Sequence, residues 1–179
     1  MTANEVLSFW FQELQPAQWF RKDPALDEKI RHLFLETHER ASRCELWDWR
    51  DSIQGRLAEV IVLDQFSRNL FRGDPRSFSQ DNLALALSQE AILSGQHFQL
   101  SVMQRAFLYM PFMHSESVLI HEEAVELFSE KGHEGNLEYE ILHKNIIDRF
   151  GRFPHRNQIL GRVSTAEEIE FLKQPGSSF

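Results

Sequence analysis

A chain of 179 residues with 42% hydrophobic side chains, 15 Phe and 4 Trp is long and apolar enough to bury a substantial core as one ordered, globular domain. The formal net charge of −8 argues against a phosphate-backbone binder, whose affinity rests on a basic face, and the single cysteine, Cys44, leaves neither an internal disulfide nor a cysteine pair with zinc spacing. No run approaches the ~18 apolar residues of a membrane span, so the expectation is a soluble, cytoplasmic protein that meets neither nucleic acid nor membrane, folded as one domain over residues 1–179.

Val6, Leu7, Phe9, Trp10, Phe11 and Leu14 predict a short apolar helix capped by Thr2 or Asn4, with Pro16 after it and Trp19-Phe20 anchoring the following loop. Asp23-Pro24 is a helix start, an acceptor at the N-cap and a proline at the first turn, and Leu26, Ile30, Leu33, Phe34, Thr37 and Ala41 continue at helical spacing to an end near Cys44. Leu46, Trp47 and Trp49 lie in a turn-rich connection running to Gly55. From Arg56 a helix runs to Phe71, where Gly73-Asp74-Pro75 stops it. On one side of that helix Leu57, Ile61, Asp64, Arg68 and Arg72 follow at steps of three or four. An apolar stripe there becomes an acid and two bases, and Asp64 can pair with Arg68 inside the helix.

Ser77 or Ser79 is expected to cap the next helix, which ends at Gly95. Val102 to Phe112 is apolar almost all round, so it marks a helix buried on several sides, and Pro111 is expected to kink or end it near Tyr109. His114-Ser115-Glu116 follows that break as a candidate site, or as a plain cap by Ser115 or Ser117 with Glu116 in the first turn of the next helix. That helix is expected to bury Val118, Val125 and Phe128 and to stop at Gly132. Asn136 then caps Leu137 to Phe150, with Tyr139, His143, Ile146, Ile147 and Phe150 on one face and His143 as a hydrogen-bonded core residue. Ser164 with Glu167 and Thr165 with Glu168 form two overlapping capping boxes for a last helix through Ile169, Phe171 and Leu172. Phe179 either frays with the tail or tucks back.

The chain is organised around Arg149 to Arg162, which interleaves Arg149, Arg152, His155, Arg156, Asn157 and Arg162 with apolar residues and two glycines. Gly151 fits the left-handed position after a helix ending at Phe150, and Pro154 is pre-set for the first turn of the next, so the stretch reads as a rigid corner. Guanidinium forks on a rigid corner suit a carboxylate or phosphate. The competing reading is that the same arginines pair with the chain's own Asp and Glu and fasten its helix ends.

With no convincing period-two alternation and no hairpin chemistry, the fold class is all-α, about eight helices with short connections. The phrases Val6-Leu7-Ser8-Phe9-Trp10-Phe11, Trp19-Phe20-Arg21-Lys22-Asp23, Gly55-Arg56-Leu57-Ala58-Glu59, Leu63-Asp64-Gln65-Phe66-Ser67-Arg68-Asn69, Phe71-Arg72-Gly73, Phe107 through Glu116, Arg149 through Arg162 and Pro175-Gly176-Ser177-Ser178-Phe179 resemble the uncharacterised bacterial domain-of-unknown-function 924 family. The resemblance covers nearly the whole chain, departing at Ser67, where proline is usual, and at Met113, where a polar residue is common. It implies stacked antiparallel helix pairs in a tetratricopeptide-like superhelix, and it brings no established activity, cofactor or catalytic residue.

Two functional readings follow. In the first, the chain is a binding module whose groove gathers Asp64, Arg68, Asn69, Arg72, His114, Glu116, Arg149, Arg152, His155, Arg156 and Asn157 around an anionic small molecule or a peptide carboxylate. In the second, it is a hydrolase or transferase in which His155 or His114 acts as general base, oriented by Glu116 or Asp64, while arginines hold an anionic substrate. No nucleophile elbow, phosphate loop or His-Glu-x-x-His pattern is present, so the enzyme reading lacks a signature, and no metal or cofactor is expected. Self-association through exposed aromatics is the third reading.

Overall fold

Several helix starts in this chain are set by side-chain acceptors, and the computed structural model, which describes residues 1–179, carries helices and turns without a strand. Helix α1 (Ala3–Ser8) begins with a reciprocal Thr2–Glu5 capping box and passes directly into a π-helical turn over Phe9–Glu13. A short α2 (Pro16–Trp19) follows. Asp23 caps α3 (Pro24–Ser42), accepting from the Ala25 and Leu26 N–H groups at 2.9 and 3.3 Å. Cys44 closes that end with φ 58°, a left-handed conformation uncommon for a residue with a side chain.

Helix α4 (Ile53–Ile61) starts three residues earlier than the sequence suggests, because Ser52 rather than a later residue supplies the cap, its hydroxyl accepting from Gly55 N–H. Gly55 is needed for space. A Cβ there would lie 1.9 Å from the Trp49 carbonyl oxygen. The expected single helix to Phe71 is instead α4, a π-helical turn at Val62–Phe66 and α5 (Ser67–Leu70). Helix α6 (Asp81–Leu93) has Gln80 at its N-cap with no side-chain cap, so neither Ser77 nor Ser79 performs that role; the Ser79 hydroxyl donates to the Arg76 carbonyl instead.

Helix α7 (Val102–Met113) runs on through Pro111 rather than ending near Tyr109. Proline removes the N–H that would bond the Phe107 carbonyl and crowds that turn, and the buried Ser88 hydroxyl donates to the neighbouring Leu108 carbonyl. Helices α8 (Val118–Phe128) and α9 (Glu134–Phe150) form a consecutive pair, antiparallel as their contacts His121–Glu140 and Phe128–His133 require. Ser117 stands at the α8 N-cap without a side-chain cap bond, and Glu116 lies outside the helix. The face of α8 that is buried carries His121, Ala124 and Phe128, whereas Val118 is exposed. On α9, Glu140 takes the buried place expected for Tyr139, and the helix starts before Asn136. The chain ends with α10 (Ala166–Phe171), whose capping box is made by Thr165 and Glu168 alone.

The chain divides into two compact units, Met1–Arg72 with Arg76–Pro111, and Gly73–Pro75 with Phe112–Phe179. In unit 1, α1 packs on α4, α3 on α5 and the second π turn, and α4 on α6. Its centre is aromatic: Phe34 lies 4.9 Å from Phe9 and 4.8 Å from Phe66, with Trp10 5.6 Å from Phe66. Each such fully buried ring contributes roughly 1.5–3 kcal/mol by leaving water. In unit 2, Ile146, Ile147 and Phe153 form the buried nucleus, with Phe150 and Phe171 packed against it.

Candidate functional site

The corner after α9 is built as the sequence leads one to expect. Gly151 takes φ 67° as the left-handed residue past Phe150, and Pro154 opens a single 3₁₀ turn, Pro154–Arg156. What fixes the corner is a set of bidentate pairs to glutamates. Arg162 holds Glu116 at 2.6 and 2.9 Å, and it also donates to Asn157 Oδ1 at 2.9 Å and to the Phe153 carbonyl at 3.1 Å. The Phe153 N–H completes Glu116 at 2.7 Å. Arg152 forks onto Glu168 at 2.7 and 2.8 Å and reaches the Val163 carbonyl at 2.9 Å. Arg149 pairs with Glu167 at 2.8 Å, out in solvent. Asn157 joins the two forks, its amide donating to Ser164 Oγ at 3.0 Å and to Glu168 Oε2 at 3.3 Å.

Inside this frame lies a cluster of imidazoles around the buried Phe153 ring. His121, His143 and His155 stand 6.1, 5.7 and 5.6 Å from it, and the Arg156 guanidinium lies 4.6 Å from its centre while donating to the His114 carbonyl at 3.1 Å. Phe179 does tuck back, stacking on His143 at 3.7 Å between ring centres with 19° between planes.

In unit 1, Arg72 forks onto Asp27 at 2.7 and 2.8 Å, and Asn69 donates to the same carboxylate at 2.8 Å. Arg68 bridges Asp81 at 3.0 and 3.1 Å and Asp64 at 3.3 Å, so the expected pair within the helix is present. Gln65 donates to Asp64 Oδ2 at 2.6 Å. A further fork, Arg50 to Glu59 at 2.7 Å for both bonds, serves a carboxylate with no exposed surface. Of the residues the sequence singles out, Asp64, Arg68, Asn69 and Arg72 therefore belong to unit 1, and His114, Glu116, Arg149, Arg152, His155, Arg156 and Asn157 to unit 2. No group of three His, Cys, Asp or Glu side chains is arranged to hold a metal ion, and no helix is long and apolar enough to cross a membrane.

Comparison with known proteins agrees on kinship. The family described as "Bacterial protein of unknown function (DUF924)" matches residues 6–176. The chain belongs to this family. Among solved structures it is similar to the protein of unknown function ATU0120 from Agrobacterium tumefaciens, 38% identical over 96% of each chain with a TM-score of 0.91. No curated protein matches the chain.

The electrostatics of this DUF924 member separate its carboxylates into two kinds. Hydrogen bonds from the Arg152 fork draw the Glu168 carboxyl down to about 2, with burial opposing and the Thr165 N–H and Asn157 amide adding to the pull. Burial alone would raise Glu116 and Asp27, yet the forks from Arg162 and Arg72, with the Phe153 N–H and the Asn69 amide, hold both below the ordinary carboxylate range. Glu140 goes the other way. Its burial raises it, and contact with His121 only partly offsets that.

His121 accounts for the Glu140 proton. Its Nε2 lies 2.8 Å from the Ser115 carbonyl, which can only accept, so Nε2 carries a hydrogen, while Nδ1 meets Glu140 Oε1 at 2.6 Å. Glu140 Oε2 is buried without a hydrogen-bond partner, which a neutral carboxyl tolerates far better than a carboxylate. Glu140 is therefore read as a neutral acid, and its contact with His121 braces the Ser115 loop against α8 and α9. His143 is neutral for another reason: burial brings it down to about 3, against the Tyr139 carbonyl that favours its proton and with help from His114, His121 and Arg156. Its Nδ1–H goes to Tyr139 O at 2.7 Å, so Nε2 keeps the lone pair.

Sequence reasoning missed Asp27, Glu59, Asp81, Glu140 and Glu168 as partners of the basic groups. Glu59 alone gave a signal, standing among Leu57, Val60 and Ile61 on an apolar stretch of helix where an acid must be paired.

Proposed function

We propose that the chain is a helical binding module for a small anion, and that its ligand site lies in unit 2 around His143, His155 and Arg156. The observation that carries this reading is the His143 ring. It is nine-tenths buried and neutral, its tautomer is fixed by the Tyr139 carbonyl, and it offers an Nε2 lone pair within the positive field of Arg156. An acceptor nitrogen, a guanidinium and flat aromatic faces gathered round Phe153 suit a carboxylate or phosphate ester that also carries a hydrogen-bond donor or a flat group. A peptide carboxylate fits the same description. Asp64, Arg68, Asn69 and Arg72 are assigned to the frame of unit 1, and Glu116, Arg149, Arg152 and Asn157 to the frame of unit 2, where forks and amide bonds fasten one segment to another.

Binding is preferred to acid–base catalysis on chemical grounds. The catalytic reading needs Glu116 or Asp64 to orient a His155 or His114 base, and Asp64 faces Arg68 and Gln65. Glu116, the other acid offered for that role, faces Arg162 and the Phe153 N–H. The antiparallel α8–α9 pair is in keeping with tetratricopeptide-like stacking, and the lone Cys44 with a cytoplasmic setting. A thermal-shift series with short carboxylates and phosphate esters tests the reading. The expected outcome is a rise in transition temperature that Arg156→Gln abolishes and Arg149→Ala leaves intact, each variant measured against its own unliganded value. A rise that persists undiminished in Arg156→Gln, or none with any anion, refutes it.

A further inference from the structure

The position of Phe179 bears on what the ligand is. Its ring covers one face of His143 at 3.7 Å, meets the His155 ring edge-on at 6.3 Å, and still leaves 51% of the residue in solvent. The segment behind it is held at Ser177, which is buried. Gly176 turns the chain with φ 76°, the Ser177 hydroxyl donates to the Leu172 carbonyl at 3.2 Å, and Pro175 and Ser178 are exposed. Phe153, 5.7 Å away on the edge of the same imidazole, is by contrast fully buried. His143 thus meets the core edge-on at Phe153, and one of its faces is covered by a ring that half remains in water.

A half-exposed phenyl stacked on a neutral imidazole makes a contact that any flat ring can reproduce, because such stacking depends on the π face and not on the identity of the ring. We propose that Phe179 is an internal placeholder, and that the site takes a small aromatic or heteroaromatic acid whose ring replaces Phe179 on His143 while its acid group turns to Arg156. This inference rests on the reading of the same site as an anion-binding site and adds the ring to it. In that arrangement the segment 175–179 competes with the ligand, so the chain as it stands binds more weakly than one without the Phe179 ring.

Isothermal titration of the full chain and of Phe179→Ala with phenylacetate and phenyl phosphate tests this, with acetate and phosphate as ring-free controls and benzyl alcohol as the acid-free control. Phe179→Ala is expected to bind the two aromatic acids about tenfold more tightly than the full chain, a change of about 1.4 kcal/mol, while all three controls stay weak in both. In imidazole NMR spectra, the His143 signals should move on adding phenylacetate to either chain. Equal affinity of the two chains for phenylacetate overturns the placeholder while leaving an anion site standing, and acetate binding as tightly as phenylacetate overturns the requirement for a ring. Absence of binding to every probe by both chains overturns the placeholder and the anion-site reading together.

Discussion

Units 1 and 2 both bury arginine–carboxylate forks and a neutral histidine, but they close them differently. In unit 1 the forks tie turns to regular helices, Arg72 on the turn after α5 to Asp27 on α3 and Arg50 on the 3₁₀ turn before α4 to Glu59 on α4, and His38 meets the Ser67 hydroxyl at 2.7 Å and is brought down to about 4 by burial. In unit 2 the forks hold a stretch with almost no regular structure, from Arg152 to Glu168, and His143 is covered by a ring that stays half in solvent. Polar burial in unit 1 thus fastens turns to helices that already pack through an apolar centre. In unit 2 it substitutes for the backbone hydrogen bonds a helix would supply, which leaves the histidine cluster rigidly framed yet accessible on one side.

The largest test of this contrast is Arg50→Ala. It strands a Glu59 carboxylate with no exposed surface, and breaking a buried pair from one side costs about 3 kcal/mol or more, read as a lower urea midpoint at constant slope. Loss below about 1 kcal/mol would mean that water reaches Glu59 and that unit 1 does not depend on the fork. Arg162→Ala should cost less, about 2 kcal/mol, because Glu116 is a quarter exposed and keeps the Phe153 N–H. Its effect should also be local: amide exchange at Phe153 and Asn157 should rise while α3 and α4 remain protected. Uniform loss of protection would erase the distinction between a corner frame and a helix tie.

Acid should weaken both units through their histidines. His38 and His143 have folded values lowered to about 4 and about 3, so between those values and the ordinary 6.5 the unfolded chain binds the extra protons. Their contribution is therefore complete above pH 6.5 and is lost as pH falls. Each histidine should remove about 1 kcal/mol between pH 6.5 and 5.5, while Glu140, whose folded value is raised, acts in the opposite sense. Glu168, drawn down to about 2, acts lower: its contribution is present above the ordinary carboxylate value and is lost as pH falls toward 2. Replacing His38 with Gln should flatten the stability profile between pH 6.5 and 4, and an unchanged slope would show that His38 is protonated in the fold.

How much of this was legible depends on how local the signal is. The Asp23 cap, the Gly151 and Pro154 corner, the Thr165–Glu168 box and the Asp64–Arg68 step are read from residues a few positions apart, and the structure has them all. The all-helical class follows from periodicity in the same way. The partners of the arginines were not legible, since Asp27 lies 45 residues from Arg72 and Glu116 lies 46 from Arg162. The two π turns were also hidden, because one extra residue in a turn shifts every later side chain without altering composition. Tyr139 in place of Glu140 is a related error: apolarity suggested the buried residue, whereas the buried imidazole of His121 selects the acid.

The smallest predicted effect is the most discriminating for the corner, because it concerns two arginines three positions apart that the sequence cannot tell from each other. Arg149 meets Glu167 with about half of both side chains in water, and lies over the Phe150 ring at 4.7 Å. Arg152 meets Glu168, whose side chain is 2% exposed, and ties it to the Val163 carbonyl. An exposed pair is screened and loses side-chain entropy in forming, so Arg149→Ala should change stability by no more than about 0.5 kcal/mol, and 0.5 M salt should erase even that. Arg152→Ala should lower the transition temperature clearly and in a way salt does not remove, because Glu168 then keeps only the Thr165 N–H and the Asn157 amide. If the two variants melt alike, proximity of charge and not burial of the carboxylate holds the corner, and the frame ascribed to Glu116 and Glu168 loses its physical basis.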